Sequence, residues 1–162
     1  MKKTLYIHGL DGFLSEDKKN ILSEYSQIIA PILDFRTNNK TYYDLKQLII
    51  ENEIETIIGT SMGGFLGYYL SLHAALPALL FNPALPFRNV EQDVPDQKIK
   101  RTSYLRVIIG GKDDIIDPRS NMDWILENER GEVDIHWINT LGHRIPINIF
   151  EKEVVDFYNI CK

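Results

Sequence analysis

The sequence alternates short apolar runs of β-forming residues with longer segments of helical period, and this alternation constrains the fold more than any other feature. Such alternation is typical of βαβ units and a parallel sheet. Most strand centres are continuously apolar, as in Ile57-Ile58 and Val107-Ile108-Ile109, which predicts burial on both faces of the sheet. We therefore expect helices on both sides. The predicted strands are Thr4–His8, Ser26–Pro31, Glu55–Gly59, Ala78–Phe81, Leu105–Gly110 and Val133–Asn139.

The segments between these strands carry helix signals. Thr41 with Asp44 three residues later resembles a capping box, and Asp117 before Pro118 predicts an N-cap with proline in the first turn. Asn82–Arg101 is the least regular stretch, and we expect a surface excursion too short to be a domain. The remaining predicted helices are Glu16–Tyr25, Met62–His73, Arg119–Glu129 and a last one with an apolar stripe at Phe150, Val154, Phe157, Tyr158 and Cys161.

Length and composition set the class of protein. A chain of 162 residues fits a single domain, 1–162, because domains usually have about 100–150 residues. Hydrophobic residues make up 44% and charged residues 25%, without a run of the roughly 20 apolar residues that a membrane span needs. We expect a globular α/β protein with no membrane insertion.

Charge and cysteine content restrict partners and compartment. The 18 basic and 23 acidic residues give a net charge of −5, and no basic cluster is present to bind phosphates, so nucleic acid is not an expected partner. A single cysteine, Cys161, excludes an intrachain disulfide and favours a reducing compartment. The apolar run after Met1-Lys2-Lys3 breaks at His8-Gly9, which is too early for a signal peptide. We expect a cytoplasmic protein whose oligomeric state stays open.

Gly59-Thr60-Ser61-Met62-Gly63 is the motif that carries chemistry. It has the pattern G-x-S-x-G and lies between an apolar strand and a helical segment, which is the context of a nucleophile elbow. A sharp strand-to-helix turn strains the serine backbone and leaves no room for bulky side chains two residues away on either side. The motif therefore predicts that Ser61 is a nucleophile.

Two backbone N–H groups are predicted to bind a developing oxyanion. Met62 begins the helix after the elbow, where unpaired N–H donors and the helix dipole favour negative charge. His8-Gly9-Leu10 follows the first strand, and Gly9 would let this loop direct the N–H of Leu10 towards the same place. His8 itself is expected to stabilise the loop.

A histidine must remove the proton of the serine hydroxyl. His73 lies late in a predicted helix and His136 within a predicted strand, so both are expected to be packing or surface residues. His143 lies in a short loop, Thr140–His143, just after the last strand, at the edge of a parallel sheet where ligands bind. We expect His143 to be the base.

The third member of such a site is a carboxylate that orients the imidazole. The loop after Leu105–Gly110 offers Asp113, Asp114 and Asp117. Asp117 has a sufficient role as an N-cap, and Asp113 lies against Lys112 where it can be solvated. Asp114 is the expected acid, and Asp113 and Asp117 remain alternatives. The order Ser61, Asp114, His143 is the order found in α/β-hydrolases.

At this point the chain resembles the α/β-hydrolase superfamily. Gly111–Pro118 resembles the G-x-x-D-x-x-x-P loop that carries the acid there, which favours Asp114. Tyr6–Gly9, Gly59–Gly64 and Asn82–Ala84 together are similar to small capless bacterial esterases of the YqiA-like group. The resemblance implies a serine esterase with activity on short acyl esters and no cap domain.

We therefore expect a six-stranded, mostly parallel sheet in the order 2-1-3-4-5-6. Ser61 would attack an acyl carbonyl, His143 would transfer the proton, Asp114 would hold the imidazole tautomer, and water would release the acyl group. No metal or organic cofactor is required. The substrate would be a small acyl ester, because a chain this short leaves almost no residues for a cap and predicts an open site. Candidate acyl-pocket residues are Leu10, Phe13, Leu85, Phe87 and Ile145.

Other functions are compatible with parts of this pattern. A thioesterase or amidase would use the same residues. A non-catalytic binding protein could retain the hydrolase fold, but such a protein would usually have lost a member of the site. A metal-dependent receiver-like domain would need an acidic pair after the first strand, and none is present.

Overall fold

Strands and helices alternate along the chain as the sequence predicts. The computed structural model describes residues 1–96 and 98–162. Strand bounds agree with the predicted ones to within one or two residues, and Ala78–Phe81 and Leu105–Gly110 agree fully. The described elements are β1 (Lys3–Ile7), α1 (Glu16–Ser23), β2 (Gln27–Ile29), α2 (Thr41–Asn52), β3 (Thr56–Thr60), α3 (Met62–Ala74), β4 (Ala78–Phe81), β5 (Leu105–Gly110), α4 (Pro118–Asn128), β6 (Asp134–Ile138) and α5 (Ile147–Ile160).

The strands form one six-stranded sheet in the order β2-β1-β3-β4-β5-β6, which confirms the predicted order. Every neighbouring pair is parallel, so the sheet is fully rather than mostly parallel. The carboxyl ends of all strands therefore meet at one edge. The loops that follow β1, β3, β4, β5 and β6 are brought together there.

The sheet is buried on both faces. Successive residues of β5 alternate between two cores, with Val107 and Ile109 in one and Ile108 in the other. Burial of each such side chain contributes about 1.5–3 kcal/mol. Helices α2, α3 and α4 cover the first face through Leu45, Phe65 and Ile125. Helices α1 and α5 cover the second through Leu22 and Phe150. The continuous apolar runs are therefore explained by burial on both faces of the sheet, as the sequence predicts.

Helix starts are only partly as predicted. Asp117 caps α4 by accepting a hydrogen bond from the Ser120 backbone N–H at 2.8 Å, with Pro118 in the first turn, as expected. The prediction of a capping box at Thr41 is wrong, because no side chain caps the start of α2. Thr41 donates its hydroxyl to the Asn38 carbonyl, and Asp44 accepts from the Asn38 amide. The preceding turn thus binds both side chains that would have formed the box.

The segment from Asn82 to Arg101, which the sequence predicts to be a surface excursion, makes buried contacts with the core. Its described residues form no helix or strand, so no cap element is found among them. Gln92 donates to the carbonyl oxygen of Phe35 at 2.9 Å. Arg101 is fully buried and pairs with Glu129 at 2.8 Å.

Across residues 1–96 and 98–162, no helix combines the length and apolar character needed to cross a membrane.

Candidate active site

Ser61 lies at the turn from β3 to α3, in a strained backbone conformation with φ 51° and ψ −114°. A positive φ is uncommon for a residue with a side chain and is retained where the surroundings impose it. The turn is fixed by three backbone hydrogen bonds, each 3.0 Å long. Ser61 N–H donates to the Phe81 carbonyl, and the Ser61 carbonyl accepts from Phe65 and Ala84. These bonds hold the strained conformation in place.

The two motif glycines are required by close backbone contact. A Cβ atom on Gly59 would lie 2.5 Å from the carbonyl oxygen of Gly63, and one on Gly63 would lie 2.0 Å from the carbonyl oxygen of Ile7. Backbone atoms cannot move away as a flexible side chain can. The sequence interpretation of these glycines is therefore borne out by geometry. Gly64 is constrained as well, because its Cβ would meet Pro83 at 2.8 Å.

His143 contacts Ser61, as the sequence predicts. Its Nε2 lies 3.0 Å from Ser61 Oγ, and its Nδ1 lies 2.9 Å from a carboxylate oxygen of Asp113. A carboxylate only accepts hydrogen bonds, so Nδ1 carries the proton and donates it. Nε2 is then free to accept the hydroxyl proton of Ser61. The three side chains form a continuous hydrogen-bonded chain.

The carboxylate that contacts His143 belongs to Asp113, so the prediction that Asp114 contacts the imidazole is wrong. The Asp113 side chain is 1% exposed, and its Oδ1 also accepts the backbone N–H groups of Ile115 and Ile116 at 2.9 Å. Asp114 is exposed. Asp117, the other alternative, is engaged in its capping bond at the start of α4.

The direction of a tight turn explains the difference. Asp113 N–H donates to the Gly110 carbonyl at 3.1 Å, so the chain reverses directly after β5 and directs residue 113 inward. The full pattern G-x-x-D-x-x-x-P fits only Gly111, Asp114 and Pro118, but its first part, G-x-x-D, is also met by Gly110 and Asp113, and the backbone turn selects Asp113. The backbone N–H groups two and three residues after Asp113 then complete an Asx turn.

Asn82, which sequence reasoning did not assign to the site, holds the histidine loop. It follows β4, is 1% exposed and has φ 41°. Its amide donates to the carbonyl oxygens of Gly142 and His143 at 2.8 and 3.1 Å, and its side-chain oxygen accepts Gly110 N–H at 2.7 Å. One side chain thus connects the loops after β4, β5 and β6. The sequence signals were the position of Asn82 directly after a buried strand and its place in one of the segments that carry the family resemblance, and neither indicated its contacts.

The two residues predicted to supply the oxyanion donors, Leu10 and Met62, line the same cavity as Ser61. Met62 is the first residue of α3, so its N–H has no acceptor within the helix. Leu10 lies in a turn that is closed by a 3.1 Å hydrogen bond from the Gly12 N–H to the Gly9 carbonyl. The N–H of Leu10 takes no part in this bond.

Two open cavities flank Ser61 and His143. The first, here called the Phe87 cavity, has a volume of about 370 Å³ and is also lined by Met62, Arg88 and Arg144. The second, the Phe13 cavity, has a volume of about 350 Å³ and is also lined by Lys18, Arg144 and Ile145. Leu10 lines both cavities.

Four of the five expected pocket residues thus reach a cavity, and Leu85 does not. Leu85 is 1% exposed and packs in the core. Its backbone N–H donates to the Pro83 carbonyl at 2.8 Å, and this tight turn directs Leu85 into the protein. Phe87, two residues further on, is 60% exposed at the rim of the cavity that carries its name.

The other histidines lie outside this chain of contacts. His8 accepts Leu33 N–H at Nε2 and donates from Nδ1 to the Gly9 carbonyl, so it stabilises its loop as expected. His73 contacts the Tyr42 hydroxyl, and burial lowers its pKa. His136 contacts Glu153. In the part of the chain that the structure describes, no group of three or more His, Cys, Asp or Glu side chains is arranged to hold a metal ion.

Comparison with solved structures shows where this fold is found. A carboxylesterase from Bacillus cereus is 18% identical over 99% of this chain and 89% of its own, with a TM-score of 0.71. Est1E from Butyrivibrio proteoclasticus, solved with ferulic acid bound, is 13% identical over 100% and 90%, with a TM-score of 0.74. Mouse alpha/beta hydrolase domain-containing protein 10 is 13% identical over 99% and 90%, with a TM-score of 0.72. No curated protein sequence matches this chain.

The sheet order, the helices on both faces and the elbow define a protein with the α/β-hydrolase fold. The chain belongs to the family described as "Uncharacterised protein family (UPF0227)", which matches residues 3–107. These findings confirm the resemblance to α/β-hydrolases of the YqiA-like group.

Proposed function

We propose that this protein is a serine hydrolase that cleaves carboxylic esters with short acyl groups through an acyl-enzyme intermediate. The observation that carries the proposal is the hydrogen-bonded chain from Asp113 through His143 to Ser61, with Ser61 in the strained turn. Est1E, which binds ferulic acid, and the carboxylesterase from Bacillus cereus share the fold and support carboxylic esters as the substrate class.

The first half of the reaction forms the acyl-enzyme. Ser61 Oγ attacks the carbonyl carbon while its proton passes to His143 Nε2. Asp113 accepts the Nδ1–H bond throughout and stabilises the imidazolium. The N–H groups of Met62 and Leu10 bind the oxyanion. The tetrahedral intermediate then collapses, and the departing alkoxide takes the proton from Nε2.

Water completes the cycle. His143 Nε2 takes a proton from a water molecule as the water oxygen attacks the acyl carbon. The second tetrahedral intermediate expels Ser61 Oγ, which recovers its proton from His143. The products are a carboxylic acid and the free enzyme. In both halves of the reaction His143 Nε2 takes the proton and returns it.

The openness of the site supports a preference for short acyl groups. The described residues between β4 and β5 supply no cap element. Phe13 is 73% and Phe87 60% exposed, so the apolar walls beside Ser61 are shallow. A long acyl chain would leave most of its methylene groups in water and would gain little binding free energy, since each buried methylene contributes about 0.8 kcal/mol.

Hydrolysis of para-nitrophenyl acetate, butyrate and decanoate tests the proposal. We expect kcat/KM to be higher for acetate and butyrate than for decanoate, and Ser61→Ala to reduce it by about 10³-fold or more. Ser23→Ala is a matched control, because Ser23 is exposed on α1, and it should retain activity. Equal hydrolysis by wild type and Ser61→Ala would contradict the proposal. Turnover of acyl thioesters alone would assign the site to thioesters.

A further inference from the structure

The charged side chains that line the two cavities beside Ser61 are all positive, since the Asp113 carboxylate is buried behind His143. The Phe87 cavity is lined by Arg88 and Arg144, and the Phe13 cavity by Lys18 and Arg144. No Asp or Glu lines either cavity among the described residues. The chain as a whole has 23 acidic and 18 basic residues. The charge of the cleft is therefore opposite to that of the molecule.

Three arginines elsewhere in the fold have carboxylate partners, and the two arginines of the cleft do not. Arg36, Arg101 and Arg106 pair with Asp11, Glu129 and Asp134 at 2.6, 2.8 and 2.8 Å. In residues 1–96 and 98–162, neither Arg88 nor Arg144 has a carboxylate within 4.0 Å, the limit for an ion pair. Arg88 is half-buried, where a guanidinium without an anion is unusual, whereas Arg144 is exposed and free to meet an anion from solvent.

Arg88 is held in place by neutral groups. Its guanidinium donates to the carbonyl oxygens of Ala84 and Leu85 at 3.1 and 2.9 Å. Its guanidinium carbon lies 3.8 Å from the centre of the Phe65 ring. Its Nε is buried without a hydrogen-bond partner. These contacts fix the position of the charge without neutralising it.

Arg144 and Lys18 complete the positive cleft. Arg144 follows His143 in sequence, is exposed, and lines both cavities. Lys18 lies 5.0 Å above the Phe150 ring, and burial lowers its pKa. A guanidinium presents several N–H donors in a plane and suits oxyanions such as carboxylates.

We propose that the physiological substrate is a small ester that carries a negatively charged carboxylate in addition to the ester group that is cleaved, with Arg144 as its principal cationic contact. The inference rests on the proposed hydrolase function and adds the charge of the substrate. Because Arg144 lines both cavities, it attracts an anion on the acyl side or on the alcohol side. Arg88 adds to this attraction in the Phe87 cavity only, and Lys18 in the Phe13 cavity only.

Two pairs of esters test this proposal. The first pair carries the charge on the acyl side, as para-nitrophenyl hydrogen adipate against para-nitrophenyl methyl adipate. The second carries it on the alcohol side, as para-acetoxybenzoate against its methyl ester. The quantity measured is the kcat/KM of each charged ester divided by that of its neutral partner. Comparing this ratio between wild type and variant cancels intrinsic differences in ester reactivity.

We expect Arg144→Gln to lower this ratio about three- to tenfold for at least one pair, the effect of one partly screened ion pair. The wild-type ratio should also fall as salt is raised, because mobile ions screen exposed charges. Arg119→Gln is the matched control, since Arg119 is exposed on α4, lines neither cavity and changes the net charge equally. This control should leave the ratio unchanged.

The outcomes separate the two proposals. Ser61-dependent hydrolysis of both pairs with equal ratios in wild type, Arg144→Gln and Arg119→Gln would overturn the charge preference and leave the hydrolase function standing. An equal fall in both variants would assign the effect to net charge and would also overturn it. Absence of Ser61-dependent hydrolysis for all four esters would overturn the hydrolase function and this inference with it.

Discussion

The choice between two adjacent carboxylates, Asp113 and Asp114, yields the sharpest prediction. Each is replaced by asparagine, which keeps the shape and removes the charge. In Asp113→Asn the side-chain oxygen can still accept the N–H groups of Ile115 and Ile116, so the turn after β5 is retained. The amide nitrogen then takes the place of Oδ2, 2.9 Å from His143 Nδ1, and the remaining oxygen at Oδ1, 3.0 Å from Nδ1, is uncharged and shared with the two backbone N–H groups.

The expected loss follows from this geometry. The amide nitrogen donates and cannot accept the Nδ1–H bond, and the uncharged oxygen accepts it only weakly, so the tautomer with its proton on Nε2 is favoured. That tautomer cannot take the proton of Ser61, which lies 3.0 Å from Nε2. The same exchange in a serine protease lowers kcat about 10⁴-fold. We expect a loss of about 10³- to 10⁴-fold here, which corresponds to about 4–5.5 kcal/mol of barrier.

The assay is kcat/KM on para-nitrophenyl acetate, with thermal unfolding measured on the same samples. Asp114→Asn should change kcat/KM less than about threefold, because the Asp114 side chain is exposed and isolated surface charges have small effects. Both variants should unfold near the wild-type temperature. A loss below tenfold in Asp113→Asn, or an equal loss in Asp114→Asn, would refute the reasoning.

Three further predictions concern the supports of the site and the fold. Gly63→Ala should destabilise the fold by more than about 3 kcal/mol, because its Cβ would lie 2.0 Å from a carbonyl oxygen of β1. Gly142→Ala, whose Cβ would have its nearest neighbour at 3.8 Å, should leave the free energy of unfolding in urea nearly unchanged. Asn82→Ala removes one buried and two partly buried hydrogen bonds, so it should cost about 2–3 kcal/mol of stability and should lower kcat. Loss of stability with unchanged kcat would speak against a positioning role. Burial alone raises the pKa of Glu129, but the hydrogen bond and charge of Arg101 lower it overall. The pair therefore stabilises the fold above the ordinary carboxyl pKa. This contribution is lost as the pH falls through the lowered pKa. Glu129→Gln should therefore cost about 3–5 kcal/mol at neutral pH, with a deficit in unfolding free energy that shrinks in acid, and a deficit independent of pH would be inconsistent with this linkage.

The sequence predicted the fold well because its signals are local and consistent. Continuous apolar runs such as Val107-Ile108-Ile109 require burial on both faces, and the helices between them supply the cover. The elbow was predictable for the same reason. Gly59 and Gly63 satisfy a steric need within five residues of Ser61, so the motif contains its own physical explanation.

Features that depend on side-chain direction or on distant loops were not predictable. Asp113 and Asp114 have the same chemistry, and only the hydrogen bond from Asp113 N–H to Gly110 directs one of them inward. The role of Asn82 depends on the histidine loop, 60 residues later in the chain, lying beside it. Leu85 and Phe87 likewise differ through a turn at Pro83 that composition does not indicate.

The central claim is that Ser61 is an activated nucleophile, and labelling with a fluorophosphonate probe tests it most directly. The probe reacts with an activated serine hydroxyl and forms a stable phosphonyl adduct that mass spectrometry assigns to one peptide. We expect the native protein and Ser23→Ala to carry one adduct on Ser61, and Ser61→Ala or heat-unfolded protein to carry none. An unlabelled native protein, or equal labelling of Ser61→Ala, would contradict the claim.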